Sequence, residues 1–291
     1  MVRRVIRIVL WLVLALVVAV AAFAVLNRDL IQRTMLGGLK IYETVPPAVP
    51  ADLRRPAMLV FSKTNGFRHV EAIPAADAML RRLAAARGWG YFATENGAAF
   101  SPGILSRFDL VVFNNASGDV FTPAQREAFK AFVTGGGGFV GIHAAGDSSH
   151  HGWTWYADEV IGARFTGHPL NPQFQVGTVT VADPAHPATR GLPRRFARED
   201  EWYFFTAPPP APFHVLVRLD ERSIPNHKAF FRDLTMGADH PVAWWRCLGK
   251  GRVFYTAMGH LPAAYGPGPA ADLLTGAVDW AMASREQGCI G

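Results

Sequence analysis

Residues 141–147 (GIHAAGD) form the most chemically informative pattern in this chain. A strand that ends in Gly-x-X-x-small commonly makes a sharp turn that presents X at the top of a sheet. Here X is His143, where enzymes built on such a turn carry a nucleophilic Ser or Cys. Because an imidazole acts as a general acid, a general base or a metal ligand, we predict acid/base or metal chemistry and no acyl-enzyme nucleophile.

Three further motifs, GHP, DEWY and MGH, place His168, Glu201 and His260 beside small or aromatic residues. We predict that His143, Glu201 and His260 are the catalytic groups. A divalent metal held by His143, His168 and Glu201 is an open alternative, because imidazole and carboxylate are common metal ligands. No HxH or HxxxH spacing supports it.

The elements that would position these groups alternate between strand and helix. Thr122, Pro123 and Gln125 form a capping-box start for one helix, which the Gly run at 135–138 ends. Strands are predicted at 57–62, 91–94, 109–114 and 139–143, and helices at 71–87 and 122–134. This alternation predicts an α/β fold with a doubly wound parallel sheet.

Ligands of such sheets bind beyond the carboxyl ends of the strands. The loops at 63–69, 114–119 and 143–151 follow three of the predicted strands and are polar. We therefore predict that they converge on one crevice, whose substrate-binding residues are Arg68, His69, Asn114, Asn115, Asp147 and His168. Trp153, Trp155 and Trp202 would offer stacking faces for sugar rings, with core packing as the alternative.

The second half of the chain is less regular. Strands are predicted at 176–181 and 214–219, a hairpin at 242–257 and a helix at 270–283. The apolar run around Cys247 indicates a buried core residue. Outside the cytoplasm Cys247 and Cys289 could instead pair.

Residues 8–26 contain no charge, Pro or Gly and are long enough to span a bilayer. A cleaved signal peptide is the alternative, although its apolar core is usually shorter. Residues 1–33 hold five Arg and one Asp, which is +4 of the net +6, so the basic charge indicates a membrane flank and no nucleic-acid partner. We predict an anchor at 1–33, a Pro-rich linker at 34–56 and one α/β domain at 57–284, exported across the inner membrane.

Several segments together resemble the ThuA-like (trehalose utilisation) family. They are FSK and GFRH near 61–69, VVFN at 111–114, GGFVGIH at 137–143, GHP at 167–169, DEWY at 200–203, HPVAW at 240–244 and GRVFYTAMGH at 251–260. The resemblance implies a flavodoxin-like, class I glutamine amidotransferase-like fold in which His143 replaces the Cys nucleophile. It also implies trehalose-like or keto-sugar disaccharides as substrates.

Three functions remain open from the sequence. The first is a carbohydrate-processing enzyme with His-dependent acid/base chemistry. The second is a non-catalytic module that binds a sugar or a partner. The third is a metal-dependent hydrolase. No cofactor other than a divalent metal is expected, and the sequence does not define the oligomeric state.

Overall fold

A computed structural model of the chain describes residues 2–150 and 152–289. Its centre is a nine-stranded sheet, with two small two-stranded sheets beside it. The strands, numbered in chain order, are β1 (Ala57–Phe61), β2 (Gly90–Thr94), β3 (Leu110–Asn114), β4 (Gly138–Ile142), β5 (Phe165–Gly167), β6 (Phe174–Val181), β7 (Arg195–Glu201), β8 (Phe204–Phe205), β9 (His214–Asp220), β10 (Lys228–Ala229), β11 (Arg232–Asp233), β12 (Pro241–Leu248) and β13 (Gly251–Thr256).

The helices lie before, between and after these strands. They are α1 (Val2–Leu26), α2 (Arg28–Thr34), α3 (Ala72–Arg87), α4 (Pro102–Leu105), α5 (Pro123–Thr134), α6 (Pro269–Met282) and α7 (Ser284–Gln287). The predicted capping box is present: Thr122 caps the amino end of α5 and Gln125 bonds back to it. Satisfying these free backbone N–H groups fixes where the helix begins.

The strand order of the large sheet is β2-β1-β3-β4-β13-β12-β9-β6-β7. The first five strands are parallel, which confirms the predicted α/β class. The sheet is mixed, however, because β12, β9, β6 and β7 continue it in antiparallel pairs. The short turn at Gly249 and Lys250 makes β12 antiparallel to β13, since a two-residue connection reverses the chain and cannot make a parallel crossover.

Helices cover both faces of the parallel strands. On one face, α3 and α6 pack over an aliphatic core that contains Met58, Val60 and Leu80. On the other face, α5 packs over a core rich in phenylalanine, with Phe113 and Phe129 at its centre. The strands β1, β3 and β4 are buried along their whole length, as expected of strands covered on both faces.

The amino-terminal helix α1 has 25 residues, and its most apolar 18-residue window has a mean hydropathy of 3.1 and no buried residue. It is thus long and apolar enough to cross a membrane, a property that signal sequences share. The chain from 35 to 56 contains no helix or strand and bonds to the α/β domain. Within it, Glu43 pairs with the buried Lys63 at 2.5 Å and Tyr42 donates to Asp119 at 2.9 Å.

Cys247 and Cys289 form a disulfide with a Cα–Cα distance of 5.5 Å. Our expectation that Cys247 is a buried core residue is therefore wrong: its side chain is only partly buried. The segment after α6, which contains α7, brings Cys289 to the end of β12. The apolar run around Cys247 does not reveal this distant contact, and the expectation failed for that reason.

Breaking this disulfide should lower the free energy of unfolding by about 2–4 kcal/mol, because a cross-link between distant residues restricts the unfolded chain. The two cysteines are separated by 42 residues. The measurement is a denaturant titration with and without reductant. A Cys247→Ser/Cys289→Ser double variant, which should not respond to reductant, is the control. An unchanged midpoint of the native chain on reduction would contradict the prediction.

Candidate functional site

The turn after β4 has the sharp geometry that the sequence predicts. His143 adopts a φ of +48°, a left-handed conformation that is uncommon for residues other than glycine. Its side chain is fully buried and lies against the ring of Tyr203, with the ring centroids 4.1 Å apart. Its Nδ1 donates to the backbone carbonyl of Ala257 at 2.6 Å, which leaves Nε2 to face the crevice.

Four side chains meet at this point: His69, His143, Glu201 and His260. One potential ligand atom from each lies within 4.8 Å of the others. His143 Nε2 is 3.3 Å from Glu201 Oε2 and 3.3 Å from His260 Nδ1. His260 Nδ1 is 2.9 Å from the same carboxylate oxygen. Three imidazoles and one carboxylate are thus brought together from sequence positions as far apart as 69 and 260.

Parallel strand pairing explains how these residues come together. Because β13 runs parallel to β4, the loops that follow both strands leave the sheet at its carboxyl edge. Those loops carry His260 and His143, and the loop after β1 carries His69. Glu201 comes from the end of β7, in the antiparallel part of the sheet.

Asp200, which the sequence analysis did not assign to the site, holds the turn that carries His260. It is fully buried and accepts hydrogen bonds from the backbone N–H groups of Gly259 at 2.9 Å and His260 at 3.1 Å. Arg198 balances its charge at 3.0 Å. Asp200 is therefore a positioning residue, and the quoted DEWY motif was the only sequence signal of it.

The charges of the cluster stabilise one another. Burial alone would lower the pKa of His143, but its hydrogen bond to Glu201 and the carboxylate charge outweigh burial and raise it. Burial alone would raise the pKa of Glu201, but the hydrogen bonds from His143 and His260 lower it well below its usual value. For His69, burial and then the nearby imidazoles lower the pKa well below 6.5, so this ring is neutral at pH 7.

The cluster fits a transition metal ion. With Zn–N bonds of about 2.0–2.1 Å, tetrahedral ligands lie about 3.3 Å from one another. The separations of 2.9–3.3 Å among His143, His260 and Glu201 are close to that value. Nδ1 of His69 is buried and has no hydrogen-bond partner within residues 2–150 and 152–289. The carbonyl that holds His143 Nδ1 is a typical outer-sphere partner of a metal-bound imidazole.

This cluster differs from the metal set expected from the sequence. His168 contacts the other oxygen of Glu201, at 3.3 Å, but is not one of the four residues whose donor atoms converge. Gln173, which the sequence analysis also did not select, donates to the same oxygen. His69 and His260 thus take the place that we expected His168 to occupy.

The other residues predicted to bind substrate have different surroundings. Asn114 donates to the carbonyl of Ile73 at 2.9 Å and so holds the start of α3. Asn115 donates to Tyr265 and keeps a buried carbonyl oxygen with no partner in the described chain. Arg68 lies at the surface in an ion pair with Glu95.

Asp147 is partly buried and accepts two hydrogen bonds from Ser149. Burial raises the pKa of its carboxyl group to about 6. Asp147 follows His143 by four residues in the same loop at the carboxyl edge of the sheet. Asp147 also borders a cavity of about 510 Å³ at the carboxyl edge of the sheet.

The tryptophans predicted as stacking faces lie mainly in the core. Trp202 and Trp153 are buried, and Trp202 donates to the carbonyl of Gln175. Aromatic rings beside the cluster come instead from Phe67, whose ring centroid is 4.9 Å from that of His69, and Phe174, 5.0 Å from that of His260.

His150, which follows the turn, does not join the cluster. His150 is buried against Phe113 and Tyr156, and burial lowers its pKa to about 4. His151, also in the predicted loop, lies outside the described residues.

His150 should make the protein less stable in mild acid. Below pH 6.5 the unfolded chain binds a proton at His150 and the folded chain does not, which favours unfolding. The free energy of unfolding therefore falls as the pH is lowered from 6.5 to about 4, where the folded chain also binds the proton. The shift corresponds to roughly 3 kcal/mol. Denaturant titrations from pH 7 to pH 4 should show a smaller loss of stability for His150→Phe, which keeps a planar ring. Equal losses in both proteins would contradict this assignment.

Comparison with known proteins identifies the family. The family model described as "Trehalose utilisation" (ThuA) matches residues 57–281. A solved ThuA-like protein from Bacteroides uniformis is 26% identical, with a TM-score of 0.67, covering 81% of this chain and 95% of its own. A ThuA-like protein from Parabacteroides merdae, 17% identical, has the same fold with a TM-score of 0.55, covering 79% of this chain and 90% of its own. No curated protein matches the chain. The chain therefore belongs to the ThuA family.

Proposed function

We propose that His69, His143, His260 and Glu201 bind one divalent transition metal and that the chain is a metal-dependent enzyme acting on a carbohydrate. The observation that carries this proposal is the convergence of three imidazoles and one carboxylate, nearly all buried, at the carboxyl edge of the sheet. Imidazole suits zinc, iron, nickel and copper, and one carboxylate ligand is compatible with each of them. The carbohydrate is proposed from the family alone, with trehalose-like or keto-sugar disaccharides as the expected class.

The residues of the site suit Lewis-acid chemistry. A metal held there with a further, open coordination position would polarise a carbonyl or hydroxyl oxygen, or lower the pKa of a bound water. Tyr203 and the Ala257 carbonyl fix the orientation of the His143 ring, so its Nε2 is aimed without further rearrangement. Asp147, which borders the cavity at the carboxyl edge of the sheet, would contact a hydroxyl of the substrate.

A second candidate is metal-free acid/base chemistry. It is favoured by the 3.3 Å contact between His143 and Glu201 and by the raised pKa of His143. In that case the protonated His143 would act as the general acid and Glu201 would hold its charge. The amino-terminal helix α1 would keep either enzyme on the extracytoplasmic side of the inner membrane.

Elemental analysis of the full-length chain, purified in detergent without a chelator, distinguishes the two candidates. We expect about one equivalent of metal in the native protein and its loss in His143→Ala. His214→Ala, which removes an exposed histidine on β9, is the matched control and should keep the metal. A native protein that contains no metal and takes up none from added Zn²⁺, Mn²⁺ or Fe²⁺ would refute metal dependence and favour the metal-free candidate.

A further inference from the structure

The tip of the hairpin β10–β11 exposes two adjacent phenylalanines. Phe230 is 82% exposed and Phe231 is fully exposed. Register places Ala229 opposite Arg232, so the two phenylalanines form the whole turn. Two adjacent large apolar side chains gain no burial when they are exposed at the end of a hairpin. An exposed apolar patch of this kind marks an interaction surface.

The backbone of this tip supports the same interpretation. Phe230 has a φ of +54°. Two-residue hairpin turns with a positive φ at the first position normally have glycine, asparagine or aspartate there, because a bulky side chain is strained in that conformation. Strain that persists in a fold is a reason to ask what function the strained residue serves. The Phe230 side chain is exposed, so packing within the protein does not explain why a strained phenylalanine occupies this position.

The hairpin β10–β11 contacts the segment from Thr166 to Leu170, which contains His168. Arg232 donates to the carbonyl of Thr166, and Lys228 accepts from the backbone N–H of Leu170 at 3.3 Å. Between these two contacts lies His168, which touches Glu201. The hairpin is thus attached to the segment that borders the cluster on one side.

The segment that follows the apolar helix α1 borders the same edge of the sheet. In α2, Arg33 donates to the carbonyls of Thr64 and Gly66, in the loop that leads to His69. The cavity beside Asp147 is lined on one side by the chain from Arg33 to Gly38. The carboxyl edge of the sheet therefore faces the end of the chain that carries α1.

We propose that Phe230 and Phe231 seat in the lipid bilayer that α1 spans, so that the cluster opens at the membrane surface. The proposal rests on the anchoring role given to α1 under the proposed function. Lys228 and Arg232 flank the tip and are exposed, and with Asp233 opposite Lys228 the hairpin keeps a net charge of +1, which suits a membrane surface that contains anionic lipid. Apolar side chains inserted to the head-group boundary, with basic residues behind them, are a common form of interfacial binding.

Fluorescence of a probe at the tip tests this contact. The full-length variant Phe231→Cys, labelled with an environment-sensitive nitrobenzoxadiazole, is reconstituted into vesicles of phosphatidylcholine and phosphatidylglycerol that contain spin-labelled lipid. We expect at least about a twofold loss of emission from spin-label quenching at this position. Lys250→Cys, labelled in the same way, is the control: it precedes β13 and so lies at the opposite, amino edge of the sheet, where no quenching is expected.

A second variant separates the contact from folding. Phe230→Gly removes the strain at the turn, so it should be at least as stable as the native chain. In this background the probe at 231 should lose part of its quenching because one of the two apolar anchors is gone. No quenching at 231, or equal quenching at 231 and 250, would overturn the proposal.

The same samples keep this proposal and the proposed function apart. Intact mass reports whether α1 is retained, and elemental analysis reports whether the metal is bound. Metal with an unquenched probe would overturn the bilayer contact alone. A quenched probe without metal would uphold the contact and count against the metal-dependent enzyme. Loss of residues 1–26 from the mature protein would remove the anchor and overturn the contact.

Discussion

Replacing Glu201 with glutamine should weaken zinc binding by about 100-fold or more. Loss of an outer-sphere partner alone costs about 10–100-fold in metal affinity, and Glu201 would contact the metal directly. It is also the only carboxylate among the four, so its replacement leaves three imidazoles as the ionisable ligands. Its carboxylate accepts from His260 at 2.9 Å and contacts His143 at 3.3 Å, so its loss also removes two contacts that orient those rings.

The affinity is measured by competition with a chromophoric chelator, using the full-length protein in detergent. Glu199→Gln is the matched control, because it makes the same chemical change two residues earlier on β7, at an exposed position. Equal affinities of the Glu201 and Glu199 variants would contradict the ligand assignment. A similar loss of zinc affinity in both variants would indicate that net charge, and not coordination, controls binding.

Replacing Phe113 with alanine should lower the free energy of unfolding by about 3–5 kcal/mol. The Phe113 ring is fully buried in β3 and contacts several other buried rings. Those rings are Phe61, Phe100, Phe121, Phe129, Phe139 and Tyr156, with centroid distances of 5.0–5.8 Å. A cavity among rigid rings closes poorly, so the cost should lie toward the upper end. That loss is a large part of the stability of an ordinary domain.

Denaturant titration followed by far-ultraviolet circular dichroism measures this effect. The matched control is Phe231→Ala, which truncates a fully exposed ring and should change stability by less than about 0.5 kcal/mol. A loss of less than about 1 kcal/mol for Phe113→Ala would mean that the aromatic core relaxes around the gap. That outcome would mean that packing of the aromatic core contributes little to the stability of β3, the strand that ends at Asn114.

The parallel half of the fold was predictable because its signals are local. Buried strands read as apolar runs, and the box at Thr122 and Gln125 marks a helix start whatever lies around it. The strand β7 was missed because its residues RFAREDE alternate exposed charge with modest apolar groups. Its role comes from pairing with β6, which its own residues do not reveal.

The candidate site was predictable only in part. The turn around His143 has a recognisable sequence pattern, and the positive φ of His143 agrees with the sharp turn that this pattern predicts. The placement of His260 depends on β13 joining the sheet beside β4, and a hairpin pattern does not say where the hairpin docks. His69 was expected to bind substrate and lies in the cluster, because the direction of a side chain within a loop is set by tertiary packing.

Anomalous X-ray diffraction from crystals of the metal-loaded protein tests the central claim most directly. Data collected on both sides of the absorption edge of the bound metal should give one strong difference peak, about 2.0–2.2 Å from nitrogen atoms of His69, His143 and His260 and from an oxygen of Glu201. A peak elsewhere, or none while His143 keeps its contact with Glu201, would contradict the metal site.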